Sequence, residues 1–397
     1  MMFRSARHRP APARSVLSAV TVTVVCVMPV FLVGGLAVQL TDELGFSPAG
    51  LGLAVSAYFG VSALSSLPAG VLVERYGPVV TARAGVALAA ACLAAIALAA
   101  RSFPVLVALL AASAAGNALG QLSSNAALSR VPAHRQGLSF GIKQAAVPGA
   151  TLLAGAAVPA VALTVGWRWA FLAAAGLALV TLPLTSSFGP ADHRGARPAG
   201  RGGRATGALA TVGAAVAMGA AAAGSLGTFL VDAAATRGLA PGTAGLLLTA
   251  GSVLCLAGRV GGGWLADRRG VHDITPVAGL LAVGAVAMVL LALPSTVALV
   301  AGVLLGFGLG WAWPGLVNVA VVRLHPDSPA AATSITQTGV YLGGCLGPLG
   351  FGTVAAHAGY QAAWLAAGGA LVVGTALMLV GRHRLRHRRA GGHPRTG

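Results

Sequence analysis

The chain contains a single lysine, Lys143, within an otherwise uncharged stretch, GIKQAAVPG. A cation there could bind an anion or exchange a proton. A charge at mid-bilayer costs roughly 2.5–3.5 kcal/mol on insertion scales, so it usually marks a functional site. Two interpretations stay open. Lys143 either faces a polar cavity, or its side chain extends to the nearby membrane surface, because it lies only a few turns from the start of its helix.

The eight acidic residues lie at or beyond the ends of the apolar runs: Asp42, Glu43, Glu74, Asp192, Asp232, Asp267, Asp273 and Asp327. A lysine in a cavity would therefore lack an acidic partner, which favours a small organic or inorganic anion as its ligand. We find no paired acids, no nucleophile with its base and no metal-ligand spacing, so we expect neither an enzyme nor a cofactor or metal site.

Other polar side chains recur at helical spacing. In the run 104–128, Ser113, Asn117, Gln121, Ser124 and Asn125 follow at steps of three or four, which places them on one helix face. That face either lines a cavity or bonds another helix. With Lys143, the candidate substrate-binding residues are Gln144, Asn117, Gln121, Trp311, Gln337 and Tyr341. We expect Asn125 and Asn318 to have a structural role in helix packing. We expect Pro314 to break its helix and free backbone carbonyls.

The elements that carry these residues are membrane spans. The chain of 397 residues is 56% hydrophobic and only 9% charged, with mean hydropathy +0.83. Apolar runs of about 18 residues or more predict membrane-crossing helices. Twelve are predicted, at 15–38, 49–71, 79–100, 104–128, 138–161, 166–187, 207–231, 241–263, 274–294, 296–321, 331–356 and 361–381.

The positive residues behind the net charge of +18 fall mainly on one side of the membrane, a distribution that does not indicate a nucleic-acid-binding surface. With the N-terminus inside, all Lys and Arg residues except Arg101, Arg168 and Arg237 fall on the cytoplasmic side, if Lys143 and Arg259 are counted with the nearby helix ends. The positive-inside rule then predicts a cell-membrane protein with both termini in the cytoplasm. The basic C-terminal tail would contact anionic lipid headgroups.

The chain repeats itself at a constant offset of 193 residues. GVLVERYG at 70–77 matches GWLADRRG at 263–270, and Glu74 meets Asp267. The same offset relates Asn125 to Asn318 and Gln144 to Gln337. Because these matches need no gap, they indicate a duplicated six-span unit. The predicted organisation is a bundle at 1–187, a cytoplasmic linker at 188–206, a second bundle at 207–381 and a basic tail at 382–397.

An even number of spans per unit leaves both bundles in the same orientation, related by an axis along the membrane normal. Two such bundles around a central site are the plan of a secondary transporter. Twelve spans, the duplication and G-x-L-A-D-R-R-G after span 8 resemble the major facilitator superfamily, over about the whole chain. The first copy of the turn departs from that family's pattern by having Glu74 in place of aspartate.

The resemblance implies that spans 1, 4, 7 and 10 line the cavity. It also implies a latch on the cytoplasmic side. Glu74 would meet the start of span 11, Asp267 would meet the start of span 5, and Arg75 and Arg268 would complete the network. These contacts would form only when the cytoplasmic side is closed, and alternating access would break them.

We therefore expect a secondary transporter of a small solute, favouring an anion. The segments RQGLSFGIKQAAVP and ITQTGVYLGG are also similar to cyanate- and nitroimidazole-type permeases. One rival is a proton-coupled exporter of drugs or secondary metabolites, although no span carries the carboxylate that such exporters commonly have. Another is a membrane sensor that transports nothing. The expected partners are a small-molecule substrate and membrane lipid, without nucleic acid; a coupling proton is left open, and we expect a monomer.

Overall fold

The structure is a computed structural model that describes residues 12–46, 48–189, 203–270 and 273–391. Within these residues the chain forms helices and short connections, without strands. The helices of the first bundle are, as spans 1 to 4, Pro12–Gly35, Pro48–Tyr76, Pro78–Ala99 and Phe103–Leu128. Span 5 is Ala133–Ala157, continued by a π turn at Val158–Ala162 and by Leu163–Val165, and span 6 is Trp167–Thr181.

The second bundle repeats this order. Spans 7 to 9 are Gly203–Ala235, Pro241–Arg268 and Thr275–Ala292. Span 10 consists of Thr296–Leu305, a π turn at Gly306–Gly310 and Pro314–Leu324. Spans 11 and 12 lie in Pro329–Gly391 and are separated by the non-helical Gly359. The predicted twelve-span, all-helical fold in two bundles is confirmed.

Length and composition agree with this count. Within the described residues, ten helices are long and apolar enough to cross a membrane. One of them, 329–385, contains both span 11 and span 12, and the apolar helix of span 6, Trp167–Thr181, is shorter. Each bundle has its own apolar core, since one large cluster of buried residues falls within 27–175 and another within 208–385.

The duplication extends to the backbone. Glycines with positive φ stand at equivalent positions in both halves: Gly45 and Gly238 (66° and 84°), Gly77 and Gly270 (82° and 58°), and Gly166 and Gly359 (98° and 80°). These are conformations that glycine adopts without the steric cost borne by other residues. Each pair is separated by the sequence offset of 193, so the repeat places the same breaks at the same points of the two bundles.

Several boundaries differ from the sequence expectation. The charged segments 70–77 and 263–270 were predicted as connecting turns, but spans 2 and 8 continue to Tyr76 and Arg268. Glu74 and Asp267 therefore lie in the last helical turns. A short helix, Ala37–Leu44, was not predicted and follows span 1. Span 5 starts at Ala133, five residues before its predicted start.

The domain boundaries remain predictions, and the structure describes only part of the segments involved. Of the expected linker 188–206, residues 190–202 lie outside the described residues. Phe188 is buried at the end of a 3-10 turn, Pro183–Phe188, which is tied to span 1 by a hydrogen bond from Ser18 to the Leu184 carbonyl of 2.8 Å. The helix of span 12 continues to Gly391, so the first part of the expected tail is helical; residues 392–397 lie outside the described residues.

Candidate functional site

The two bundles meet at the end of the molecule that carries the charged segments, here called the charged-turn face. Asp267, at the end of span 8, accepts hydrogen bonds of 2.7 Å each from the backbone N–H groups of Gly137 and Leu138 in the first turns of span 5. Arg323, from the end of span 10, donates to the same carboxylate at 3.0 Å. The Asp267 side chain is only 8% exposed. A carboxylate near a helix N-terminus is stabilised by the helix dipole.

Glu74 makes the equivalent contact from the other bundle. It accepts hydrogen bonds of 2.8 and 3.2 Å from the backbone N–H groups of Ala330 and Ala331 at the start of span 11. Ala330 and Ala331 are the repeat equivalents of Gly137 and Leu138. Each bundle therefore places an acid on the helix start of the other, as the family resemblance implied. The longer glutamate side chain preserves the contact.

Glycines bring the helix backbones together beside these acids. A β-carbon on Gly263 would overlap the carbonyl oxygen of Gly137, and one on Gly141 would overlap the carbonyl oxygen of Arg259. Gly315 of span 10 approaches from a third side, where an added β-carbon would lie 3.2 Å from the α-carbon of Gly141. Spans 5, 8 and 10 thus touch backbone to backbone, which small residues permit between membrane helices.

The expected role of Arg75 and Arg268 needs correction. Their guanidinium groups lie over aromatic rings of their own helices, Arg75 over Tyr76 and Arg268 over Trp264, at 5.3 and 4.1 Å from the ring centres. The arginine on Asp267 is instead Arg323. Arg268 stacks on its neighbouring ring because its side chain leaves the helix on the exposed face, while Asp267 points into the interface.

Lys143 is fully buried. Its ammonium donates a hydrogen bond to the Gln121 side-chain oxygen and another, of 3.1 Å, to the Asn125 side-chain oxygen. Both acceptors belong to span 4, so the lysine points towards the first bundle and does not extend to the membrane surface. Neutral amide oxygens only partly offset the cost of burying a charge. Lys143 has no carboxylate partner among the described residues.

Arg259 is a second buried cation, which the sequence analysis had assigned to a helix end. It lies in span 8 and is 3% exposed. Its Nη1 donates to the backbone carbonyl of Gln144 at 2.6 Å, and its Nε donates to that of Trp311 at 3.3 Å. Gln144 follows Lys143 directly, so the two cations approach the same short segment of span 5. Within the described part of the chain, Arg259 too lacks a carboxylate partner.

A third group of buried polar residues joins spans 2, 4 and 11. Asn117 donates to the hydroxyl of Tyr341 at 3.1 Å and to that of Ser62 at 3.3 Å. Gln337, which is also buried, lies one helical turn before Tyr341 on span 11. Since Asn117 lies one turn before Gln121 on span 4, this group is continuous with the amides that hold Lys143. The polar face of span 4 thus makes interhelical hydrogen bonds in this state.

Six of the seven candidate substrate-binding residues take part in these contacts, and the seventh, Gln337, is buried one turn before Tyr341. Gln144 takes part through its backbone carbonyl, and Trp311 through both its carbonyl and its ring, which lies 5.5 Å from the Arg259 guanidinium. The missed residue is Arg259. Its signal was a charge inside an apolar run, the same signal that singled out Lys143. Asn125 binds Lys143, whereas the amide nitrogen of Asn318 has no partner among the described residues.

Spans 5 and 8 separate towards the opposite face, whereas spans 2 and 11 stay in contact as far as the hydrogen bond of 3.3 Å from the Ser56 hydroxyl to the Cys345 carbonyl. The contacts between spans 5 and 8 run from Gly137 to Gln144. Farther along span 5, a β-carbon on Gly149 or Gly155 would meet nothing within 4 Å, and Leu153 is exposed. The charged-turn face is therefore closed in this structure, and the cationic groups lie at the depth where the contact between spans 5 and 8 ends.

Known proteins agree with this architecture. The sequence model of the Major Facilitator Superfamily, a family model, matches residues 19–348 and 209–396 of this chain. A structure of the proton:xylose symporter XylE bound to 6-bromo-6-deoxy-D-glucose superposes with a TM-score of 0.76 at 15% identity, covering 95% of this chain and 98% of that one.

Two further solved structures superpose over nearly their whole length. The human organic anion transporter MFSD10 (TETRAN) gives a TM-score of 0.72 at 17% identity, with 93% of this chain and 100% of that one covered. The E. coli fucose:proton symporter FucP gives 0.72 at 16% identity, with 93% and 98% covered. No curated protein sequence matches. The chain belongs to the major facilitator superfamily and is a multi-pass secondary transporter of the membrane, not an enzyme.

Proposed function

We propose that this transporter moves a small organic or inorganic anion and that Lys143 is the centre of its binding site. The observation that carries the proposal is the environment of the Lys143 ammonium, which is fully buried and held by the oxygens of Gln121 and Asn125. A buried charge with only neutral partners is costly, and an arriving anion would remove that cost. A neutral sugar would not.

The surrounding charges support an anion over a cation. Arg259 adds a second buried positive charge next to Gln144, and within the described residues no acid lies beside either cation. In a region of low dielectric constant the two charges repel each other, and one anion between them would be attracted by both. Asn117, Gln121, Gln144, Trp311, Gln337 and Tyr341 complete the proposed substrate-binding set.

The functions of the similar structures differ, since two transport sugars and one transports organic anions. At 15–17% identity they bear on the fold alone. The proposed substrate class therefore rests on Lys143 and its neighbours.

We also propose that transport proceeds by alternating access, with Glu74 and Asp267 as the gating residues. Positive-inside asymmetry supports a cytoplasmic location for both termini and for the charged-turn face. On that orientation both acids would hold the cytoplasmic side closed in this state. Opening that side would break the hydrogen bonds of Asp267 to span 5 and of Glu74 to span 11.

The substrate class can be tested by thermal unfolding of the purified transporter at constant ionic strength. The probes are acetate, benzoate and nitrate as anions, xylose and fucose as neutral sugars, and tetraphenylphosphonium as an amphiphilic cation. A ligand that binds only the folded state raises Tm, because at a hundredfold excess over Kd it adds about 2.7 kcal/mol to the free energy of unfolding. We expect stabilisation by at least one anion in the wild type and none in Lys143→Gln.

Two results would overturn the proposal. One is stabilisation by a sugar or by the cation with no response to any anion. The other is an equal response of the wild type and Lys143→Gln to the anions. Stabilisation by tetraphenylphosphonium alone would support the rival interpretation as a drug exporter.

A further inference from the structure

Pro148 leaves a backbone acceptor free inside span 5. In an α-helix the N–H group of each residue donates to the carbonyl four residues earlier, and proline has no such group. Pro148 lies within the helix Ala133–Ala157, so the carbonyl oxygen of Gln144 loses its usual partner. A buried carbonyl without a donor is unfavourable, and a side chain from elsewhere usually satisfies it.

Arg259 supplies that donor from the other bundle. Its Nη1 lies 2.6 Å from the Gln144 oxygen, and Gly141 allows the backbones of spans 5 and 8 to approach closely one turn away. The same guanidinium donates through Nε to the Trp311 carbonyl at the break of span 10. One buried arginine thus joins a carbonyl that Pro148 leaves free in the first bundle to a carbonyl at the helix break of the second.

These contacts leave donors available beside Lys143. A guanidinium carries five N–H groups in a planar fork, and the two carbonyls occupy only part of them. Nearby, the amide nitrogen of Asn125 is buried and has no hydrogen-bond partner within the described part of the chain, although its oxygen accepts from Lys143. Lys143, Arg259 and Asn125 therefore retain N–H groups that a ligand with two or more oxygens could use.

We infer that Arg259 is the specificity-determining residue of the proposed anion site, and that it selects carboxylates and planar oxyanions over spherical halides. The anion bridges the two bundles, with Lys143 on one side and the Arg259 fork on the other. Pro148 holds the fork in place through the Gln144 carbonyl. This inference rests on the proposed function, because it assumes that Lys143 binds an anion.

Neither cation belongs to the duplicated scaffold. The repeat equivalents of Lys143 and Arg259 are Thr336 and Ser66, both uncharged and buried. The acids of the charged-turn face recur in both halves, whereas the cations occur once and converge on one segment of span 5. This distribution separates the residues that both bundles need for closure from those that this chain uses for its ligand.

The test compares acetate with chloride. Binding of each to the purified full-length transporter is measured by thermal shift, in the wild type, Arg259→Lys and Pro148→Ala. Lysine keeps the charge but is a point donor that cannot offer two parallel N–H groups to a carboxylate. We expect Arg259→Lys to weaken acetate binding about tenfold or more while chloride binding changes little.

Pro148→Ala tests the positioning without altering any charge. Alanine restores the N–H group to the Gln144 carbonyl, so the arginine loses part of its attachment. We expect weaker acetate binding, about tenfold, and a smaller preference for acetate over chloride. The matched control is Pro68→Ala in span 2, which also replaces an in-helix proline, but at an exposed position away from the site. The control should keep wild-type values for both anions.

The outcomes separate the two proposals. If Lys143→Gln abolishes acetate binding but Arg259→Lys keeps the wild-type ratio of acetate to chloride affinity, the inference about Arg259 is wrong and the anion site stands. If the wild type binds none of the anions, both fail. A folding defect in Arg259→Lys would lower the responses to acetate and chloride together, which would also count against selectivity by the fork.

Discussion

Lys143 and Arg259 show how much a residue's type reveals and how much depends on the helix face that carries it. A lone lysine in an apolar run indicated a functional site, and the structure buries its ammonium against Gln121 and Asn125. Sequence alone left open whether the side chain reaches the membrane surface, because that depends on which face of span 5 meets span 4. Arg259 was assigned to the helix end, yet span 8 continues nine residues further, about 13 Å.

Replacing Lys143 by glutamine should separate stability from function. Glutamine supplies N–H groups to Gln121 and Asn125 and removes a buried charge that no carboxylate among the described residues offsets, a change that is often neutral or stabilising. We expect Lys143→Gln to unfold at the same temperature as the wild type or above it without ligand, and to have lost the anion response. A large fall in Tm without ligand would show that the lysine has a mainly structural role.

Asp267→Asn should weaken closure of the charged-turn face. The carboxylate accepts from two backbone amides and from Arg323, and hydrogen bonds to charged groups contribute about 1.5–3 kcal/mol each. Losing one such contribution should shift the equilibrium about tenfold or more towards the state that is open at the charged-turn face. Spin labels at Ser186 and Arg269, on a background without native cysteines, would report the shift as a longer distance between the bundles. An unchanged distance distribution would contradict the latch.

At the scale of elements, glycine contacts determine how closely the spans approach at the charged-turn face. Gly263 belongs to the repeated motif, but its partner Gly137 could not be identified from one sequence, since the contact depends on how the bundles are arranged. The helix Ala37–Leu44 was missed for another reason: only eight residues long and partly polar, it resembles a loop in a hydropathy pattern. The helix break before Pro314 followed from proline chemistry, whereas the carbonyl that Pro148 leaves free inside the continuous helix of span 5, and its partner Arg259, were not predicted.

Gly263→Ala should open the same face by a steric route. The added methyl group would overlap the Gly137 carbonyl, and overpacking typically costs about 1–3 kcal/mol. We expect the closed state to lose population by about fivefold to a hundredfold in the same spin-label experiment. Gly261→Ala is the matched control on the same helix, because a β-carbon there meets nothing within 4 Å. Equal behaviour of the two variants would exclude the close contact as the cause.

The helix Ala37–Leu44 should stabilise the opposite face in a pH-dependent way. Hydrogen bonds from Trp167 and then Arg168 hold the pKa of Glu43 below its ordinary value. A lowered folded-state pKa means that this stabilisation is complete above the unfolded pKa, about 4.3, and is lost as the pH falls through the folded value. Because the side chains of Glu43 and Arg168 are both partly exposed, we expect this pair to contribute at most about 1 kcal/mol to the free energy of unfolding.

Thermal unfolding of Glu43→Gln between pH 7 and pH 3.5 would measure this contribution. The variant should unfold below the wild type at pH 7, and the difference should shrink as the pH falls below about 4. A difference that stays constant across this range would show that the carboxylate charge is not responsible.

At the scale of the whole molecule, the duplication was the most predictable feature. The offset of 193 residues gave the two bundles and the paired acids, and the positive-φ glycines follow the same spacing. What the repeat could not predict is the asymmetry between the halves at the depth of Lys143 and Arg259. Glu74 and Asp267, which are repeat equivalents, are assigned to closure in this account. We assign Lys143 and Arg259, which have no charged equivalent in the other half, to the substrate. Because a transporter must open to each side in turn, a ligand that touches both bundles is well placed to influence that equilibrium.

Counterflow in proteoliposomes tests the central claim most directly. Radiolabelled acetate is added at pH 8, where almost all of it is ionised, to vesicles preloaded with unlabelled acetate, and the assay is repeated with benzoate and nitrate. The account predicts wild-type exchange well above that of protein-free vesicles for at least one of these anions, with Lys143→Gln at the protein-free level. Exchange by Lys143→Gln at the wild-type rate, or no wild-type exchange of any of the three anions, would contradict it.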